Sequence, residues 1–78
     1  MPGHATLARV GNFRIMIHTL DHGDPHLHVY GPDFAYKFGI VDGTIVGSHG
    51  SRAHLKPALA WLEENCALAL SVWWKFHA

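Results

Sequence analysis

The segment Asp21-His22-Gly23-Asp24-Pro25-His26-Leu27-His28 puts three imidazoles and two carboxylates into eight residues. Imidazole changes charge near neutral pH and is the commonest metal ligand. A cluster of it therefore has two natural uses, moving protons and holding an ion. Gly23 and Pro25 mark a tight loop. The alternation His26-Leu27-His28-Val29-Tyr30 marks a strand, in which residues two apart share a face. His26, His28 and Tyr30 are thus expected on one face, with Leu27 and Val29 on the other.

Three chemistries fit this pattern. In the first, histidines at i and i+2 on a strand chelate one ion, and the loop supplies further ligands. The candidate set is His22, Asp24, His26 and His28, which suits zinc or another transition-metal ion, although the spacing is not that of a known closed site. In the second, no metal is needed. His26 and His28 act as general base and general acid on RNA with His22 as an auxiliary, and Arg14 or Lys37 stabilises the charged phosphorane. In the third, the face simply binds a nucleic acid through Arg14 and Lys37, with Tyr30 stacking on a base. Lys plus Arg equals Asp plus Glu, which weakens the third, because affinity for phosphates comes mainly from net positive charge. The plain structural alternative is that these rings cap loop carbonyls and cover a solvated sheet face.

The elements that would position these groups are legible from periodicity. Residues 13–18 alternate, with Phe13, Ile15 and Ile17 facing a core and Arg14, Met16 and His18 facing away. The second strand covers 26–30. A third covers 34–40, with Phe34, Tyr36, Phe38 and Ile40 on its apolar face. Asp42-Gly43 between apolar runs signals a hairpin, so 44–48 forms a fourth strand. Residues 4–9 read as either a short strand or an arm. From Ser51 onward the period changes: Leu55, Leu59, Leu62, Cys66, Ala69, Trp73 and Phe76 recur at steps of three and four. A helix over about 51–76 follows, with Ser51 as N-cap and a break near Pro57. The expected fold is α+β, a four-stranded antiparallel meander packed on one long C-terminal helix in two layers.

The smaller features have plain readings. Cys66 is a small hydrophobe on the helix, Glu63-Glu64 a solvated face, and His4, His54 and His77 surface residues. His49 reads as a cap of the helix start or a member of the site. Trp61, Leu68, Leu70, Val72 and Trp74 widen the apolar stripe beyond what four short strands can cover. That excess favours contact with a partner or a second copy through the Trp-rich helix over a fold-back of residues 4–10.

Seventy-eight residues make one domain, and with only 15% charged residues the chain is globular rather than disordered. One cysteine excludes an internal disulfide and a cysteine-based zinc site. The start does not read as a signal peptide, and the longest apolar run, Cys66 to Trp74, is too short to span a bilayer. The expectation is a soluble, cytoplasmic protein that avoids membranes.

These features together resemble a bacterial family known only as domain-of-unknown-function family 4160. The resemblance is carried by Met1-Pro2, by Phe13-Arg14-Ile15, by the block from Asp21 to Val29, and by a helix bearing Leu59, Trp61 and Leu62. The family pattern is an acidic or polar residue, His, spacers, Pro, His, an apolar residue, His and Val. This chain has a single Pro before His26 where many members have two, and an added aromatic end, Trp73-Trp74-Lys75-Phe76. Members are commonly encoded beside a small protein of family 2442, and the pair has been proposed as a toxin–antitoxin module. The resemblance thus implies a toxin with an antitoxin-like protein partner, and joined to the histidine chemistry above it makes RNA cleavage the expected activity. It marks His22, His26 and His28 as characteristic without assigning them a role.

Overall fold

The computed structural model describes residues 3–77; Met1, Pro2 and Ala78 lie outside the described residues. Five strands form one antiparallel sheet in chain order: β1 (His4–Val10), β2 (Phe13–His18), β3 (His26–Gly31), β4 (Phe34–Gly39) and β5 (Ile45–Gly50). One helix, α1 (Leu55–His77), closes the chain. The architecture is the expected α+β meander with a helix, but the sheet has five strands, not four.

The additional strand is β1, whose sequence shows no clean alternation. A register shift between Thr6 and Ala8 explains why. Such a bulge puts an extra residue into one strand and breaks its period of two. The β1–β2 hairpin turns on Gly11, which takes φ +55, and Val10 pairs with Phe13. The β4–β5 connection uses Gly43 at φ +70, and the Asp42 carboxylate accepts a hydrogen bond from the Thr44 amide at 3.0 Å. The Thr44 side chain first, and this amide second, hold the Asp42 carboxyl below its ordinary pKa.

One face of the sheet carries the core. Ile15, Ile17, Leu27, Val29, Phe38 and Ile40 pack against Ala58, Leu62, Ala69 and Trp73 of α1. Leu7, Ala8 and Val10 of β1 pack at its margin, as do Trp61, Leu70 and Val72. Part of the apolar excess on the helix therefore lies against the chain's own core. Leu68, Trp74 and Phe76 stay exposed.

The helix differs from expectation at its start and middle. Ser51 is not its N-cap: the Ser51 Oγ accepts from the Ala53 amide in a local turn, and the first helical amide bond runs from Ala58 to the His54 carbonyl. Pro57 falls in the first turn, where its missing N–H has no partner to lose. The irregularity lies instead at Asn65, with φ −123 and ψ 21. Its side-chain amide donates to the Trp61 carbonyl at 2.8 Å. A short polar side chain competing for a backbone acceptor four residues back is a known cause of helix bending.

The other face of the sheet has no helix. Register lines up two rows across all five strands: Arg9, Arg14, Tyr30, Ala35, His49 and Thr6, Met16, His28, Lys37, Gly47. Met16, expected on this open face, is nonetheless buried between Thr6 and His28 in its row. His4, His22 and His49 are exposed, whereas His54 and His77 are half-buried. His54 stacks on Phe34 at 4.7 Å and His77 on Trp73 at 3.7 Å, so these two are packing residues rather than surface ones.

Candidate functional site

The histidines converge at one end of the open face. His18 closes β2 and His28 lies within β3, with ring centroids 4.2 Å apart. The loop between these strands is tied at both ends. The Asp21 amide donates to the His18 carbonyl at 3.3 Å, and the Ile40 amide donates to the Pro25 carbonyl at 3.0 Å. Gly23, at φ +92, takes the backbone turn that a side chain would strain. So folded, the loop brings the Asp21 carboxylate onto the rings. Its Oδ2 lies 2.7 Å from His26 Nε2 and 2.9 Å from His28 Nε2.

His26 holds this arrangement. It is only 6% exposed and packs on Trp73 at 5.0 Å. Its Nδ1 faces the Asp24 carbonyl at 2.8 Å, and a carbonyl can only accept, so Nδ1 carries a proton. Its Nε2 faces a carboxylate, so the ring donates at both ends when it is charged and Asp21 is ionised. His18 Nε2 shares a 3.0 Å hydrogen bond with the Tyr30 hydroxyl.

The local field follows from these contacts. Burial would push the Asp21 carboxyl up, but hydrogen bonds from His28 and His26, and their charges, bring it below the ordinary value. Burial pushes His28 down; its bond to Asp21 opposes this, and the neighbouring His18 and His26 add to the downward shift. Tyr30 is pushed up by burial and by the Asp21 charge, with Arg14 opposing.

Among the described residues, one group places ligand atoms of three metal-binding side chains within 4.8 Å of one another: His18, Asp21 and His28. Two imidazoles and a carboxylate suit zinc or another divalent transition ion. A tetrahedral zinc site holds its donor atoms roughly 3.3 Å apart, so small rotamer changes suffice. His26 would then donate to the ligating carboxylate and orient it from outside, as outer-shell partners commonly do.

The residues expected from the sequence are placed unevenly. His28 and His26 join the cluster, although both ring nitrogens of His26 are engaged. His22 is exposed and lines a cleft of about 480 Å³ with Lys37, outside the cluster. The Asp24 side chain is exposed as well, and the residue touches the cluster only through its backbone carbonyl, which accepts from His26 Nδ1. Tyr30 reaches the cluster through His18. Arg14 is Tyr30's cross-strand neighbour and Lys37 is His28's. Two members fell outside the expected ligands. His18 sat on the right face but was assigned no role, and Asp21 gave no local signal because a loop's return path is not written in its spacing.

Fold and site define a small two-layer α+β domain with a histidine–carboxylate cluster at one end of an uncovered sheet face. Residues 12–74 match the family described as Domain of unknown function (DUF4160), and the chain belongs to that family. No curated protein and no solved structure matches it.

Proposed function

We propose that this domain binds one divalent transition-metal ion of the zinc type through His18, Asp21 and His28. The reading is carried by the convergence of their ligand atoms within 4.8 Å. It is supported by His26, which grips the carboxylate from behind, and by Tyr30, which steadies His18. The ligand set differs from the one spacing suggests, because His22 and Asp24 point their side chains elsewhere. Isothermal titration with zinc and cobalt tests it, with histidine NMR signals followed in parallel. One bound ion with shifts at His18 and His28 is expected. No uptake up to high micromolar metal would overturn it.

A second reading is favoured by one contact. The Asp21–His28 bond orients an imidazole whose ring lies 4.2 Å from His18, the geometry of a carboxylate-steadied acid–base pair. In this reading His28 and His18 cleave RNA without a metal, and the protein is the toxin of a toxin–antitoxin pair, as the family resemblance implies. Its partner, an antitoxin-like protein or a second copy, would cover Leu68, Trp74 and Phe76 on α1. RNA left intact in excess chelator, together with normal growth on expression, would remove this reading.

A further inference from the structure

We infer that the open sheet face, beside the cluster, is a binding track for single-stranded RNA, running across the strands along the row Arg9, Arg14, Tyr30, Ala35, His49. The row follows from the strand register and spans roughly 19 Å at the usual strand spacing. Binding along the row does not rest on a bound metal; only the preference for RNA draws on His18 and His28.

Charge distribution carries the inference. The chain is neutral overall, but half of its six lysines and arginines lie on this face. Arg9, Arg14 and Lys37 lie on this face; Arg52, Lys56 and Lys75 lie on the helix or the segment before it, where Lys56 and Lys75 balance Glu63 and Glu64, and Asp24, Asp33 and Asp42 are on loops and turns. Asp21, held by the two histidines, reaches one end of the face, and Asp24 and Asp42 share a cleft with Lys37 there, but the row from Arg9 to His49 carries no carboxylate. Arg9 and Arg14 stand directly opposite each other across β1 and β2, exposed, with no ion-pair partner among the described residues. Like charges directly opposite one another destabilise a sheet. A phosphate placed between them would remove that repulsion.

The same row offers a place for a base. Tyr30 stands between Arg14 and Ala35, and Gly47 lies in the adjoining row, where an added Cβ would meet nothing within 4 Å. The result is a shallow floor of small residues beside an aromatic ring, with Lys37 next to it. A flat sheet reads unstacked bases rather than the grooves of a duplex, and aromatic stacking tolerates any base. RNA fits better than DNA because the groups around Tyr30, His18 and His28 among them, can each donate or accept toward a 2′-hydroxyl.

The test is fluorescence anisotropy with a labelled oligouridine of about 12 nucleotides in excess chelator, so that the metal site plays no part. The unmodified protein should bind, and binding should weaken with salt. Arg9→Gln with Arg14→Gln should lower affinity at least tenfold and reduce the salt slope by about 1.4, from about 0.7 for each lost single-strand contact. Tyr30→Leu should cost about five- to a hundredfold, while Tyr30→Phe should bind within twofold. Lys56→Gln, on the helix, should change nothing. The arginines are exposed, and unchanged melting curves would show the variants folded. The track is overturned if the unmodified protein fails to bind at 100 μM in low salt, if the arginine pair binds within twofold of it, or if duplex RNA binds as tightly. Equal affinity for the matching DNA would overturn the choice of RNA. Metal titration reads the cluster independently, so either proposal can fail alone.

Discussion

His26 Nε2 lies 2.7 Å from Asp21 Oδ2, and the opposite nitrogen of the same ring reaches the Asp24 carbonyl at 2.8 Å. A ring engaged at both ends, buried against Trp73, has no nitrogen free to exchange protons with a substrate. It does have the means to fix a loop and aim a carboxylate. Its neighbour His28 uses one nitrogen on the same carboxylate and is more open to solvent, so two histidines separated by one residue serve different purposes.

His26→Ala should therefore unfold more easily than any other histidine variant of the cluster. Losing two hydrogen bonds and the Trp73 contact is expected to cost about 2–4 kcal/mol. His22→Ala, at an exposed position outside the cluster, should stay within about 0.5 kcal/mol of the parent. Urea denaturation of the two variants checks the pair. Equal stabilities would mean that the loop is not held by His26.

Metal affinity should sort the histidines differently from stability. His18→Ala and His28→Ala, which remove ligands, should abolish zinc binding. His26→Gln, which weakens only the outer support of Asp21, should lower affinity by about 10- to 100-fold. His22→Ala should leave it unchanged. Calorimetric titration of the four variants distinguishes this order from one in which His22 is a ligand.

The metal-free protein should lose stability in acid in two stages. The folded-state pKa of His28 is depressed, so the unfolded chain binds the proton more readily. Stability from this group is complete above the ordinary histidine value, near 6.5, and declines as pH falls below it. Asp21 is depressed too, and its contribution is lost only as pH falls through the carboxylate range. Denaturation midpoints measured between pH 8 and 3 in chelator should show both falls, and His28→Gln should remove the upper one.

Two glycines with positive φ should respond unequally to alanine. At Gly11, φ +55, a Cβ meets open space, and the cost is conformational, about 1 kcal/mol. At Gly50, φ +77, it would collide with the Asp33 carbonyl that accepts the Ser51 amide, tearing the junction between β5 and the helix lead-in. Gly50→Ala should therefore cost more, about 2 kcal/mol or above. Thermal melts of the two variants provide the comparison.

Period and turn chemistry alone determined the frame of this protein. Alternation placed β2, β3 and β4, Asp42-Gly43 placed the last hairpin, and steps of three and four placed the helix, because burial of one face leaves a regular mark on each element. The sharing of one face by His28, Tyr30, Arg14 and Lys37 was legible for the same reason. β1 was not, since its bulge interrupts the period, and the bend in α1 moved from Pro57 to Asn65, since a proline in the first turn loses no bond. Only tertiary structure decided the site. Which carboxylate meets the rings depends on how a seven-residue loop folds back between His18 and His26, and that path is set by hydrogen bonds to backbone groups and by Trp73 arriving from the far end of the chain. Spacing along the chain favoured His22 and Asp24; closure of the loop in space selected His18 and Asp21.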